Sequence, residues 1–454
     1  MPARKQLRIS HVGLRGVVGS GMTAAHALDF ASAFGTLAGP GPVVLGRDPR
    51  ASGRMFHEGV ASALMACGHD VVSLGVVSTP VIQHAIRRLN AAGGISIGAS
   101  HNSAEWNALK FLGAGGVYLS TAEAGELLDI YHLRKFGFVE WDRLGSLRRE
   151  DDAIDRYLDE LAAVFDLDAV RSFKVVVDCC NGTSSLILRR MNERFGTEFL
   201  LINAEVEGRA FAHEPATNAR TVGLQLAPLM RPLAADAGFL FDVDSDRVAL
   251  ATDRGEAVSE ELVLPMLADW LLPRGPGRLV ITNLSSTALL EEIAARHGGR
   301  VVRVPVGRQA AMDALAMYRP EQIAAAGEGT GAVMMPAFRF VYDGIASMLG
   351  ILTMMRERGQ TLAEIVAGYP RYFMLKGEVP LVTQRIPALL MEIRERNREA
   401  RLNLLDGVRA DYEDRWLHVR VSQTEPLVRI ICEQRGDPPQ ALFDGLMEHV
   451  RSFA

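Results

Sequence analysis

Three times along this 454-residue chain a short apolar run stops abruptly on a polar loop, with helical periodicity between the runs. In the first pass Pro42–Leu45 meets Gly46-Arg47-Asp48, a helix is predicted over Met55–Cys67 with Gly68 closing it, and Asp70–Gly75 is the next strand. A helix over Val81–Leu89 leads to the third strand, Gly94–Ile97, which ends on Ala99-Ser100-His101-Asn102. The second pass runs from Lys174–Asp178 through Glu198–Ile202 to Gly238–Phe241, which delivers Asp242-Val243-Asp244-Ser245-Asp246-Arg247. The third runs from Arg278–Ile281 through Gly299–Val304 to Gln322–Ala326, which delivers Gly327-Glu328-Gly329-Thr330-Gly331. Such alternation predicts an α/β fold of three similar domains with mixed or parallel sheets and ligands at the carboxyl ends of the strands.

The tail has a different rhythm. From about Phe373 it reads as a strand, an Arg- and Glu-rich helix over Ile386–Leu402, strands Trp416–Val421 and Val428–Cys432, and a closing helix from Pro439. A smaller α+β domain is predicted there. The expected domains are therefore residues 1–150, 151–254, 255–371 and 372–454, with linkers near Leu147–Asp152, Asp253–Glu256 and Tyr369–Tyr372.

A net charge of −5 gives no general attraction for a phosphate backbone or an anionic bilayer, so neither nucleic acid nor membrane is an expected partner. Met1–Arg8 lacks the apolar core of a signal peptide, and the apolar stretch Leu262–Leu272 is short and interrupted by Asp269. A cytoplasmic location is expected. Cys67, Cys179, Cys180 and Cys432 are too few and too irregularly spaced for a disulfide framework or a zinc site. Lysine occurs only at positions 5, 110, 135, 174 and 376, which makes Lys110, in the serine loop, conspicuous.

Each polar loop has a chemical reading and a plainer one. Ser100 presents a hydroxyl to solvent at the end of a strand, though Ala-Ser-His-Asn is also an ordinary turn. Asp242, Asp244 and Asp246 alternate, so an extended backbone points three carboxylates one way. A hard cation relieves that repulsion, Mg²⁺ being the natural choice beside a phosphate, whereas a solvated acidic turn is the alternative. The spacing lacks the glycine and distal glutamate of a calcium EF-hand. Arg15, between Gly13 and Gly16, suits a phosphate contact or a surface turn. Ser422-Gln423-Thr424, between Arg420 and Arg429, offers the several donors that a phosphate dianion requires, or simply a polar hairpin. Glu328 and Thr330 read as sugar-hydroxyl contacts or as part of a turn, and Arg308 as a substrate-facing cation or a surface arginine.

Taken together these stretches resemble the α-D-phosphohexomutase superfamily along essentially the whole chain. Ala99-Ser100-His101-Asn102 is similar to its phosphoserine loop, Asp242–Arg247 to its magnesium loop, Gly327–Gly331 to its sugar loop, and Arg420–Pro426 to its phosphate loop. Gly46-Arg47-Asp48 and Asp343-Gly344 match further landmarks. The resemblance implies a heart-shaped four-domain enzyme around a central cleft. It implies a phosphorylated Ser100, with Mg²⁺ held by that group and by Asp242, Asp244 and Asp246. The phosphoryl group passes to a hexose monophosphate, giving a hexose 1,6-bisphosphate that is both intermediate and activator. Arg15 and Arg247 then neutralise charge, and Lys110 is the acid/base on the sugar hydroxyl, which requires a lowered pKa or a shared proton. His101 is a second acid/base candidate or an orienting donor.

Several positions depart from the family pattern. Ser103 replaces a proline, Ala108 a glycine and Ala332 a substrate-contacting histidine; Thr330 stands where serine is frequent, and the Phe-Gly-Thr lead-in is missing. The expected partners are small-molecule sugar phosphates, with glucose and mannose phosphates first and glucosamine phosphate as the runner-up. A non-catalytic sugar-phosphate binder and a phosphatase are the other readings. The chain is expected to be a monomer or a homodimer.

Overall fold

The computed structural model describes residues 7–10, 13–336, 338–422 and 427–453. In the first unit β1 (Leu7–Ser10), β2 (Gly13–Val17), β3 (Val43–Arg47), β4 (Val71–Val76), β5 (Gly93–Ile97), β6 (Trp106–Gly113) and β7 (Leu147–Arg149) form one sheet. Its order is β1-β2-β6-β5-β3-β4-β7. The strands β3, β4, β5 and β7 run parallel, as alternation with helices requires, and β2 and β6 are antiparallel additions. Segment Leu147–Asp152, expected as linker, thus contains the edge strand of the first sheet.

The second unit contributes β8 (Val175–Asp178), β9 (Leu200–Ile202), β10 (Ala237–Phe241) and β11 (Val248–Thr252), in the order β11-β10-β8-β9. The third contributes β12 (Leu279–Asn283), β13 (Arg300–Val304), β14 (Ile323–Glu328) and β15 (Ala332–Met334), in the order β13-β12-β14-β15. Each of these two sheets has three parallel strands and one antiparallel edge. The last unit is antiparallel throughout: β16 (Tyr372–Pro380), β17 (Arg401–Asn403), β18 (Val408–Asp411), β19 (Arg415–Val421) and β20 (Leu427–Arg435), ordered β16-β20-β19-β18-β17. The helix expected over Ile386–Leu402 stops at Arg396. Asn397 turns its amide back to the Ile393 carbonyl and accepts from Tyr412, so the chain is free to enter β17.

Helix starts follow local capping chemistry. Ser78 accepts from the Val81 N–H ahead of Thr79–Arg88, with Pro80 in the first turn, and Asp343 accepts from the Ala346 N–H ahead of Gly344–Arg358. Burial then fuses the first three units. One apolar cluster runs from Val81 and Ile82 through Tyr157 and Leu158 to Ile345 and Met348, whereas the last unit has its own core around Leu389, Val419 and Ile430. That unit meets the third through polar contacts: Ser285 Oγ with His418 Nδ1 at 2.9 Å, Val306 N–H to Asp406 at 3.0 Å, and Ala288 N–H to Glu433 at 2.7 Å. Among the described residues no helix is long and apolar enough to cross a membrane.

Candidate active site

Ser100 ends up buried, where the sequence reading expected an exposed hydroxyl. The loop after β5 folds onto the acidic turn of the second unit, and Ser100 Oγ donates to Asp242 Oδ2 at 2.5 Å. The residue itself is held in the left-handed region, φ 50°. A carboxylate–guanidinium pair fixes that loop. Asp48 accepts from the Ala99 N–H and from Arg50 Nε, and Arg50 donates to the carbonyls of Ser100, Asn102 and Ser103 at 2.9, 2.7 and 2.5 Å. Gly98 has no room for a side chain while Asp48 keeps this place, since a Cβ there would overlap the Asp48 carboxylate.

The three aspartates do converge, by a different route from strand alternation. After β10 the chain turns, with Ser245 at φ 61°, and the carboxylate oxygens of Asp242, Asp244 and Asp246 lie within 4.8 Å of one another. Thr183 pins this turn by donating from N–H and hydroxyl to the Val243 carbonyl, both at 2.9 Å. Thr79, at the start of a first-unit helix, donates to Asp244 Oδ2 at 3.0 Å.

Two cations meet the same carboxylates. Lys110 lies on β6 rather than in the serine loop, where it donates to Asp244 Oδ2 and lies 3.4 Å from Asp246 Oδ2. Arg308 donates to Asp246 Oδ2 at 2.8 Å and to the Tyr118 hydroxyl, its guanidinium 4.7 Å above the Tyr118 ring. Arg308 is therefore buried rather than a surface residue. A buried guanidinium requires a counter-charge, and Asp246 supplies it.

Oδ1 of both Asp244 and Asp246 is buried with no hydrogen-bond partner among the described residues. Clustered carboxylates with unpartnered oxygens are the donor set a hard divalent cation takes. The residues present thus fit Mg²⁺. Burial, then Asp246 and Asp244, raise the Asp242 carboxyl well above the usual range. Burial also opposes charge on Asp246, but Lys110, Arg308 and Arg247 outweigh it and hold that carboxyl down.

The acid/base candidates are pushed apart. Burial, with Arg247 and Arg15 alongside, drives the His101 imidazole down to about 2, so it is neutral; its Nδ1 lies 3.4 Å from Ser100 Oγ. For Lys110, burial disfavours the charge, yet Asp244, Tyr118 and Asp246 raise the ammonium above its usual value. Of the two routes open to an acid/base lysine, a lowered pKa or a shared proton, the first is not taken; the ammonium is hydrogen-bonded to Asp244. Burial, Arg308 and Arg247 lower Arg15 to about 10, so it stays charged, and it donates to Asn102 Oδ1 at 2.9 Å.

Above this centre lies a cavity of about 520 Å³ whose wall includes His101, Arg247, Glu328, Thr330, Arg420 and Arg429. Glu328 accepts from the Tyr342 hydroxyl at 3.3 Å, and Thr217 donates to the Thr330 carbonyl at 3.2 Å. Gly331, at φ 77°, admits no side chain, because a Cβ would overlap the Val248 carbonyl. Ala332 is buried opposite Glu328 in the β14–β15 register. Arg420 and Arg429 are register partners on β19 and β20; Arg420 pairs with Asp406 at 2.7 Å and Arg429 with Glu378 at 3.2 Å. Ser422 is buried, its N–H closing onto the Leu427 carbonyl at 2.9 Å. Gln423 and Thr424 lie outside the described residues.

Sequence reasoning did not single out Arg50, Thr79 or Tyr118. The arginine-bearing loop after β3 is a visible signal for the first; the other two are a helix-start threonine and a core tyrosine with no local mark.

Four sheets thus bring a serine, a carboxylate triad, a lysine and an arginine-walled cavity to one place, the arrangement of a phosphoryl-transfer enzyme. The chain belongs to the phosphoglucomutase/phosphomannomutase family, within the α-D-phosphohexomutases: its alpha/beta/alpha domains I, II and III match residues 8–137, 155–255 and 260–372. It is a phosphomutase, an intramolecular phosphotransferase of the isomerase class. It is 31% identical over 434 residues to a phosphoglucomutase/phosphomannomutase of Thermococcus kodakarensis, covering 94% of each chain. It is likewise 31% identical to a probable phosphoglucosamine mutase of Methanopyrus kandleri, covering 94% of this chain and 93% of that protein. A putative phosphomannomutase of Thermus thermophilus superposes with a TM-score of 0.81 at 26% identity, covering 100% and 99% of the two chains.

Proposed function

We propose that the chain interconverts hexose 1-phosphates and hexose 6-phosphates, acting on glucose and mannose phosphates, through phosphorylated Ser100 and a hexose 1,6-bisphosphate. The observation that carries this reading is the hydrogen bond from Ser100 Oγ to Asp242, which seats a hydroxyl against a carboxylate triad fit for a metal. Mg²⁺ on Asp242, Asp244 and Asp246 would neutralise charge on the phosphoryl group. Arg247 and Arg15 add fixed positive charge around the same position, and Glu328 with Thr330 orients the sugar.

Return of a phosphoryl group from the bisphosphate forms the Ser100 Oγ–P bond and breaks the sugar O–P bond. The Ser100 proton leaves along its hydrogen bond to Asp242 Oδ2, the departing sugar oxygen takes a proton from charged Lys110, and His101, neutral beside Oγ, orients the serine. Transfer in the opposite sense retraces these steps. Arg420, Arg429 and Ser422 hold the phosphate that is not reacting, so the sugar must turn over in the cleft to present its other end.

The test is the intact mass of the purified chain after incubation with glucose 1,6-bisphosphate. A species heavier by one phosphoryl group, absent from Ser100→Ala, is expected; turnover that survives Ser100→Ala overturns the mechanism. Glucosamine phosphate is the second reading, favoured by the equal identity to the phosphoglucosamine mutase relative. Rates on glucose, mannose and glucosamine 1-phosphates decide between them, and a large excess for glucosamine 1-phosphate reverses the assignment.

A further inference from the structure

Between the third and fourth units one buried carboxylate touches three separate pieces of chain. Glu261 lies in the short helical turn Glu260–Leu262, ahead of helix Val263–Leu271 of the third unit, and is only 7% exposed. Its Oε2 accepts from the Thr287 N–H at 3.1 Å, and its Oε1 accepts from Lys376 Nζ of the fourth unit at 2.8 Å. The same carboxylate fills the space beside Gly329, where a Cβ would come within 2.0 Å of Glu261 Oε2. Gly329 is the residue between Glu328 and Thr330. The sugar loop is therefore seated on Glu261 and, through the Gly329 N–H to Ser286 Oγ at 3.2 Å, on Ser286.

Lys376 extends that support to the fourth unit. In the β16–β20 register Lys376 stands opposite Ile431 and Glu378 opposite Arg429. Residues two apart on a strand, and residues directly opposite on its neighbour, share a face, so Lys376, Glu378 and Arg429 point to one side of the last sheet. All three border the cavity of about 520 Å³ together with Glu261 and Glu328. Glu433, on the same face, accepts from the Ala288 N–H at 2.7 Å. The adjacent amides of Thr287 and Ala288 are thus held by one carboxylate from each unit.

Charge favours the same arrangement. Burial opposes the Lys376 ammonium, but Glu261, Glu260 at 3.9 Å and Glu433 outweigh it and keep the lysine charged. Burial also raises the Glu261 carboxyl to about 7, with Lys376 pulling it back and Glu433 and Glu260 pushing it further up, so the pair is fully ionised above neutral pH. Removing either partner of such a pair leaves the other uncompensated. Among the described residues no hydrogen bond joins Glu261 or Lys376 to Ser100 or to the aspartate triad, so the pair bears on the binding side of the cleft and not on the phosphoryl centre.

We propose that Glu261 and Lys376 are positioning residues for the sugar: their pair holds the Glu328–Thr330 loop of the third unit at a fixed distance from Arg420 and Arg429 of the fourth, so that one hexose phosphate reaches both. This rests on the reading of Glu328 and Thr330 as sugar contacts and of the two arginines as holders of the phosphate that is not reacting. An ion pair that only stabilised the contact between units would not need to be packed against the one glycine between the two sugar-reading side chains.

The test is steady-state kinetics at pH 8 on glucose 1-phosphate with glucose 1,6-bisphosphate as activator, together with Tm, for Glu261→Gln, Lys376→Met, Lys376→Arg and the double variant Glu261→Gln/Lys376→Met. Glu261→Gln and Lys376→Met are each expected to raise KM about 10-fold and to leave kcat within about threefold, the pattern of lost uniform binding. The double variant is expected to match the worse single one, because both changes remove the same tie. Lys376→Arg, which keeps the charge, is expected to keep KM within about threefold of wild type. Lys376 is 45% exposed, so its variants test the inference even where Glu261→Gln fails to fold. A wild-type KM in Lys376→Met, with or without a lowered Tm, overturns the inference, as do KM increases that multiply in the double variant. Either result leaves the mutase reading standing, whereas a wild type that turns over no hexose phosphate overturns both.

Discussion

Arg50 Nη2 donates to the backbone carbonyl of Ser100 at 2.9 Å, across fifty residues of chain. The same guanidinium reaches the Asn102 and Ser103 carbonyls, is wholly buried, and lies 4.9 Å from the Phe211 ring. Arg50→Ala would leave three carbonyls and the Asp48 carboxylate short of donors, at about 1–3 kcal/mol for each buried group that water cannot reach. Arg50→Lys keeps the charge beside Asp48 but has no planar fork to span three acceptors. Arg50→Lys is therefore expected to fold, to bind sugar phosphate with a KM close to wild type, and to lose about 10- to 100-fold in kcat. Steady-state kinetics together with the phosphoserine content by intact mass check this, and a wild-type kcat in Arg50→Lys refutes it.

Lys110 is held charged by Asp244 and Asp246 rather than being discharged by burial, so in the proposed mechanism it enters the reaction as an acid. Lys110→Met should lower kcat by about 10²- to 10⁴-fold, the usual range for a lost proton donor, with little change in KM. Because its pKa lies above the ordinary value near 10.4, kcat should show no alkaline decline from this residue below about pH 10. A pH–rate profile on wild type and Lys110→Met measures both. An alkaline limb near pH 8 that disappears in Lys110→Met would mean that the ammonium is neutralised after all.

What was legible in the sequence was what is carried locally. Ser100 and the alternating aspartates sit in loops directly after strands, Glu328 and Arg420 sit at the carboxyl ends of β14 and β19, and both residue type and position mark them. The first three units were readable because parallel strands buried on both faces leave unbroken apolar runs such as Val175–Val177. The antiparallel additions β2 and β6 were less visible, since β2, with two glycines and an arginine, scarcely resembles a buried strand. Contacts between units were not legible. Nothing near Thr79 announces Asp244, and nothing near Arg308 announces Asp246 or Tyr118. The direction of the Lys110 shift depends on which of burial and neighbouring charge prevails, and that requires the three-dimensional arrangement.

His213 and Asp178 form a clamp behind the metal turn: His213 Nε2 lies 3.0 Å from Asp178 Oδ2, and Nδ1 lies 2.8 Å from the Glu214 carbonyl. Burial opposes the imidazolium, but Asp178 and Cys180 overcome it and raise His213 to about 10. An unfolded histidine titrates near 6.5. The folded form therefore binds this proton more tightly, so the stabilisation is complete below about pH 6.5 and is lost as pH rises towards 10. Thermal unfolding followed between pH 6 and 10 should show a declining Tm in wild type and a flatter dependence in His213→Gln. Parallel pH dependences in the two proteins would exclude this pair as the cause.

Arg420 and Arg429 face each other across β19 and β20, but they are anchored differently. Arg420 is buried against Asp406, whose carboxylate also takes the Val306 N–H of the third unit, whereas Arg429 is about 40% exposed and pairs with Glu378. If both hold the phosphate that is not reacting, each charge-assisted bond is worth about 1.5–3 kcal/mol in bound substrate and transition state alike. Arg429→Met should then raise KM by about 10- to 100-fold and leave kcat within a few fold, the signature of lost uniform binding. Arg420→Met should raise KM similarly but lower kcat as well, because Asp406 loses its cation while still holding Val306. Asp406→Asn should reproduce only the kcat part. Kinetics of the three variants on one hexose phosphate decide the matter, and an Arg429→Met enzyme with unchanged KM removes that residue from the phosphate site.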